Sequence, residues 1–269
     1  MNHELSSINH DLHTMNQNNN RRNFIRNASL GTIAAISIPQ IVSSALAAAP
    51  KGKRVTIEKG DTILFQGDSI TDSGRGKNGV AAPNNAGALG NGYALMATGQ
   101  LLLQHPDKDL KFFNKGVSGN KVYQMADRWD ADTIAINPNV LSIHIGVNDF
   151  WHTLTNGYKG TIETYIADYK KLLDRTKQAL PNVKLVICEP YAVLGVKAVD
   201  DKWYPTFDLF RKAAKDMADQ YNAPFVPFQA VYDKAITQAP PAYWTFDGVH
   251  PSVAGAALMA RAWLEAVKG

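Results

Sequence analysis

Ser69, Asp247 and His250 are the residue types that acyl transfer to a hydroxyl nucleophile requires. A serine hydroxyl attacks a carbonyl carbon effectively only with a base in hydrogen-bond reach, and that base needs a carboxylate to orient it. In Asp247-Gly-Val-His250 the carboxylate and imidazole stand on one tight turn, close enough for one side chain to reach the other's ring. In Gln66-Gly67-Asp68-Ser69 the hydroxyl follows an apolar run, and Gly67 permits a sharp bend before it. The tetrahedral intermediate of such a reaction carries a negative oxygen that must meet preorganised donors. Gly119 can offer an unobstructed backbone N–H and Asn148 a side-chain NH₂. Each residue also has a plainer use: Ser69 or Asn148 as a helix cap, Gly119 at a turn with positive φ, Asp247 and His250 as an ordinary C-terminal turn.

These segments are far apart in sequence, so the fold must gather them. Short apolar runs alternate with longer helical stretches. Strands are expected at Thr62–Gln66, Leu110–Asn114, Val140–Ile145, Val183–Cys188 and Ala223–Pro227. Helices are expected at Tyr93–Leu103, Val122–Thr133, Ile162–Leu180, Phe207–Tyr221 and Ser252–Val267. In the third of these helices Ile162, Ile166, Tyr169, Leu172, Leu173 and Leu180 should mark the apolar face. Strands alternating with helices imply βαβ units and a parallel sheet covered on both faces, and strands buried on both sides read as continuous apolar runs. The expected architecture is α/β: a flavodoxin-like three-layer α/β/α sandwich around a roughly five-stranded parallel sheet. Such a sheet brings the segments after its strands to one rim, where ligands bind. The Gly-, Asn- and Ala-rich stretch Ser73–Asn91 follows the first strand and should border that rim.

Gly67-Asp68-Ser69-Ile70 resembles the first block of the SGNH (GDSL) hydrolase family, Gly119 the glycine of its second block, Asn148 the asparagine of its third, and Asp247-Gly-Val-His250 its last block. The blocks occur in order, from about Thr62 to the C-terminus. One Gly-Asp-Ser would be weak; four ordered blocks are specific. No G-x-S-x-G elbow is present, which argues against an α/β-hydrolase. The resemblance implies that Ser69 is the nucleophile, His250 the general base and acid, and Asp247 the group that fixes the imidazole tautomer. It also implies an oxyanion hole from the Ser69 and Gly119 N–H groups and the Asn148 amide, with no metal and no organic cofactor. The family includes lipases, lysophospholipases, thioesterases, arylesterases and carbohydrate deacetylases. The expectation is a carbohydrate O-acetyl esterase; the alternatives are a lysophospholipase or short-chain carboxylesterase, and a non-catalytic glycan-binding relative. Trp151, His152, Tyr123 and Tyr191 are candidate substrate contacts, because flat aromatic faces near the rim suit sugar rings.

The 269 residues suit one α/β domain plus a leader. A formal net charge of +4 without a basic run beside aromatics excludes a nucleic-acid footprint. The single cysteine, Cys188, forms no internal disulfide and reads as a buried strand residue. The histidines lack metal-ligand spacing. At the N-terminus, Arg21-Arg22-Asn-Phe-Ile-Arg26, an apolar stretch from Ala28 to Val42, and the small residues of Ser44–Ala49 resemble a Tat export signal. Residues 1–47 are thus expected to be a disordered N-terminus plus a cleaved leader, with cleavage after Ala47, or less favourably after Ala49. Met15 is a second possible start. Residues 48–269 are expected to form the catalytic domain of an exported, periplasmic or secreted protein without a stable membrane anchor, with the export machinery and a small-molecule or glycan ester as expected partners.

Overall fold

The computed structural model describes residues 37–48, 54–77 and 82–268. Five parallel strands form the central sheet: β2 (Thr62–Gly67), β3 (Lys111–Asn114), β4 (Val140–His144), β5 (Lys184–Cys188) and β6 (Phe225–Val226), in the spatial order β3-β2-β4-β5-β6. Counting these five alone, the order is 2-1-3-4-5, the flavodoxin-like winding expected from the sequence. A separate parallel pair joins β1 (Val55–Thr56) to β7 (Val267–Lys268).

The helices are α1 (Ile38–Ala48), α2 (Ser69–Asp72), α3 (Ala86–Leu89), α4 (Tyr93–Gln104), α5 (Val122–Asp127), α6 (Val147–Thr155), α7 (Ile162–Ala179), α8 (Thr206–Gln220), α9 (Phe228–Ala235), α10 (Pro241–Trp244) and α11 (Val253–Glu265). Helices α1, α4, α9 and α11 pack together, and α5, α7 and α8 form a second group. Every residue of β4 is buried, as a strand covered on both faces requires. Trp263 of α11 donates from its indole to Ser142 Oγ at 2.9 Å, and Trp129 on the opposite side donates to Thr176 Oγ1 at 3.0 Å. Each large ring thereby buries its area without leaving its N–H unpaired.

Several boundaries differ from expectation. The stretch Val122–Thr133 is not one helix: α5 ends at Asp127, and a π-helical turn covers Asp130–Ile134. The inward face of α7 is carried by Tyr165, Tyr169, Leu172, Leu173 and Thr176, whereas Ile166 is exposed. The Tyr165 hydroxyl donates to the Ile145 carbonyl, which draws that aromatic position inward. Helix α1, which falls within the expected leader, buries Ile41, Val42 and Ala45 and lies against α9 and α11. The Arg21–Arg22 pair lies outside the described residues. Among the described residues no helix is long and apolar enough to cross a membrane.

Candidate active site

The winding reverses between β2 and β4, so the segments leaving those two strands flank a crevice at the carboxyl edge of the sheet. Leaving β2, Asp68 accepts the Ile70 N–H on Oδ1 at 3.0 Å and starts the short helix α2 at Ser69. Leaving α10, the chain folds through Thr245 to Pro251, held by a bridge between those two residues. Ser69 Oγ lies 2.8 Å from His250 Nε2, although the two are 181 positions apart. On the other side of the ring, His250 Nδ1 is 2.7 Å from Asp247 Oδ2. Asp247 Oδ1 accepts the N–H groups of Val249 at 2.9 Å and His250 at 2.7 Å, so the carboxylate is fixed at both oxygens. The structure therefore brings Ser69, His250 and Asp247 into one line of hydrogen bonds.

The electrostatics match that geometry. Burial pushes the Asp247 carboxyl up, but its bonds to the His250 ring and to two backbone N–H groups outweigh this and hold it down at about 2. The hydrogen bond to Asp247 raises His250 above its ordinary value against the opposing effect of burial. Beneath them, burial lifts Asp68 to about 7. Burial likewise lifts Asp149 to about 7.

The second wall comes from the loop after β3. Gly116 lies so close to α2 that a Cβ there would come within 2.4 Å of the Asp72 backbone nitrogen. Ser118 then donates from N and Oγ to Asp72 Oδ2 at 3.0 and 2.8 Å, and Lys77 pairs with the same oxygen at 2.9 Å. Gly119 follows with φ +81°, a left-handed conformation that glycine adopts without a Cβ penalty, and the space beside it is open. Asn148 stands in the first turn of α6 and donates from Nδ2 to the Asn120 carbonyl at 3.2 Å. Asp149, next to it, accepts the Val122 N–H at 3.1 Å. The loop of Gly119 and the helix of Asn148 are thus tied directly together.

Of the candidate substrate contacts, Trp151 lies with its ring centroid 6.3 Å from that of His250 and 5.8 Å from that of Trp203. His152 follows on the same helix; burial, then the charge of Lys121, keep its pKa low and favour the neutral ring. Tyr123 is exposed and stacks on Tyr158, centroids 6.0 Å apart at 22°. Tyr191 is a correction: it is wholly buried, stacks on Tyr232, and donates from its hydroxyl to the Val249 carbonyl at 2.7 Å. It supports the Asp247–His250 turn from below and cannot line the crevice. The sequence reading missed Tyr158, Lys121 and the exposed Phe246 beside Asp247. Tyr158 lies in a loop with no periodicity, and only the stacking on Tyr123 reveals it.

Cys188 is buried and its thiol is pushed up to about 12 by desolvation. His144, inside β4, is held neutral by burial, at about 4, and bonds the Glu189 carbonyl. Among the described residues no cluster of His, Cys, Asp or Glu is arranged to hold a metal ion. A cavity of about 290 Å³ runs along the edge strand β3, lined by residues such as Arg75, Phe112 and Lys115, and Ser69 is not part of its wall.

The GDSL-like lipase/acylhydrolase family model matches residues 65–258. The chain belongs to this family. It is 34% identical over 213 residues to an acetylxylan esterase of Geobacillus stearothermophilus, spanning 78% of this chain and 95% of that protein. A solved GDSL-like lipase of Parabacteroides merdae superposes with a TM-score of 0.78 at 50% identity, covering 80% of this chain and 98% of that one. A solved variant of the Geobacillus esterase superposes with a TM-score of 0.71 at 32% identity, covering 79% and 99%. Structures of that enzyme described as catalytic mutants carry alanine for a serine, an aspartate or a histidine, the last two three positions apart. As a GDSL family member this protein is a carboxylic ester hydrolase.

Proposed function

We propose that Ser69, His250 and Asp247 form the catalytic triad of an exported carbohydrate O-acetyl esterase. The observation that carries this reading is the unbroken line from Ser69 Oγ through the His250 ring to Asp247, at 2.8 and 2.7 Å. Support comes from the acetylxylan esterase relative, with its catalytic aspartate and histidine spaced as Asp247 and His250 are here. His250 Nε2 takes the Ser69 proton as Oγ attacks the acetyl carbonyl. The oxyanion turns towards the N–H groups of Ser69 and Gly119 and the Asn148 amide. The imidazolium, stabilised by Asp247, returns the proton to the departing sugar hydroxyl and leaves acetyl-Ser69. Water, deprotonated by the same ring, then releases acetate and restores the hydroxyl.

The sugar would rest on the rim of Trp151, His152 and Tyr123, with Tyr158 extending the aromatic surface. The test is acetate release from acetylated xylan, acetylated pectin and a lysophospholipid, offered side by side with Ser69→Ala as control. Acetate from a glycan, lost in the variant, supports the reading. Fatty acid from the lysophospholipid alone would keep the triad and overturn the substrate class. Binding of glycan without any turnover would make the protein a non-catalytic relative. Export through the Tat route rests on the Arg21–Arg22 leader. N-terminal sequencing of secreted protein should begin at Ala48, and retention in the cytoplasm after Arg21 and Arg22 are replaced by lysine would support it.

A further inference from the structure

Arg128 lies just beyond α5 and holds three separate segments of the site at once. Its Nε donates to Asn120 Oδ1 at 2.8 Å. Its Nη1 donates to Gln66 Oε1 at 3.1 Å, to the Lys115 carbonyl at 2.7 Å and to Asp132 Oδ2 at 2.9 Å. Its Nη2 reaches the Gly67 carbonyl at 3.4 Å. Gln66 and Gly67 end the strand that delivers Ser69, and Lys115 opens the loop that delivers Gly119. Asn120 occupies the junction: its side chain is held by Arg128, and its carbonyl receives the Asn148 amide at 3.2 Å. A guanidinium suits this work because its N–H groups fan out in one rigid plane.

We propose that Arg128 is a positioning residue that sets the oxyanion donors against the nucleophile, acting through Asn120. This rests on the triad and oxyanion reading above. The peptide that carries the Gly119 N–H and the carbonyl that aims the Asn148 amide belong to one short stretch, so a tilt at Asn120 turns both donors together. A role confined to helix stability needs only the Asp132 pair, four residues on in the same local run. The bonds to Asn120, Gln66, Gly67 and Lys115 cross to other segments and stabilise no helix.

The experiment compares Arg128→Ala, Arg128→Lys and Asn120→Ala in the full chain with p-nitrophenyl acetate, recording kcat, KM and melting temperature. Displacement of a donor by about 1 Å costs about 100-fold in rate, so kcat of Arg128→Ala should fall by about that factor with KM within about twofold. Arg128→Lys keeps the charge but not the fork and should stay slow. Added methylguanidinium, well below denaturing concentration, should restore much of the kcat of Arg128→Ala and none of that of Asn120→Ala. Asn120→Ala removes only the side-chain acceptor and should lose about 10-fold in kcat, the price of about one hydrogen bond to a charged group. Wild-type kcat in folded Asn120→Ala and Arg128→Lys would overturn the proposal, as would a loss that follows the unfolded fraction and resists rescue. If Arg128→Ala does not fold, Asn120→Ala decides. If Ser69→Ala keeps wild-type turnover, the triad reading itself has failed, whatever the Arg128 variants do.

Discussion

Replacing Asp247 by asparagine tests the site at its most constrained point. The carboxylate makes three hydrogen bonds, one from the His250 ring to Oδ2 and two from backbone N–H groups to Oδ1. Asparagine can keep the two backbone bonds through its carbonyl oxygen, but it then presents an NH₂ to His250 Nδ1. The ring must become an acceptor there, which moves its proton to Nε2, and an Nε2–H facing Ser69 cannot take the hydroxyl proton. The expected loss in kcat is about 10³- to 10⁴-fold. The stability cost should be far smaller. A carboxyl held at about 2 rather than 3.8 corresponds to at most about 2.4 kcal/mol, and solvent screening of this half-buried group reduces that to about 1 kcal/mol. Because its folded pKa is depressed, this contribution is present above pH 3.8 and disappears as pH falls through about 2. Initial rates of p-nitrophenyl acetate hydrolysis, beside thermal melts at the same pH, separate the two effects. An Asp247→Asn protein that melts near wild type and turns over within tenfold of it would refute the argument, since the tautomer would then not depend on the carboxylate.

His250 has a raised pKa, so kcat/KM should climb with pH through a midpoint above 6.5. The stabilisation that the same raised pKa supplies is complete below 6.5 and fades across that window, so melting temperatures should reveal a decline where activity rises. Asp149 is raised to about 7, which means the folded state holds its proton more tightly than the unfolded chain; stability is lost as pH rises from 3.8 to about 7. Asp149→Asn should therefore gain on wild type in melting temperature as pH moves from 4 to 8, and a constant difference would contradict the buried-acid assignment. Tyr191→Phe removes the bond to the Val249 carbonyl and should cost about 1 kcal/mol in urea melts, with a loss of kcat on every substrate alike. Trp151→Ala should raise KM for acetylated oligosaccharide several-fold more than for p-nitrophenyl acetate; equal effects on both would remove Trp151 from the sugar rim.

The strands were legible because buried parallel strands are rich in apolar residues: Val140–His144 is interrupted only by Ser142 and His144, and Lys184–Cys188 only by Lys184 at its start. The short pair β1 and β7 was not, since two residues on each strand carry no pattern and the pairing joins segments far apart in the chain. The residues of the Ser69–His250–Asp247 line stood out as residue types at block spacing. Their supports did not. Nothing in the sequence around Arg128 distinguishes it from a solvated helix cation, and only the acceptors converging from Gln66, Gly67, Lys115 and Asn120 give it meaning. Tyr191 shows the opposite error: an aromatic just after a strand end reads as a rim residue, yet it is buried beneath the turn because its hydroxyl finds a carbonyl there. Ile166 failed similarly: it was placed on the apolar stripe, whereas its neighbour Tyr165 takes the buried position.

The 181 positions between Ser69 and His250 also have a consequence for biogenesis. A ribosome that has synthesised the chain through β6 has already made all five strands of the central sheet, Ser69 and the Gly119 loop, yet not His250. His250 arrives with the turn before α11, and β7, which pairs with β1, comes last. A nascent or C-terminally clipped chain therefore lacks both His250 and the buried face of α11, whose Leu258, Met259 and Trp263 are core residues against α4. On the proposed triad, hydrolytic activity would report complete synthesis, and a truncated product should leave any acetyl ester it meets inside the cell intact.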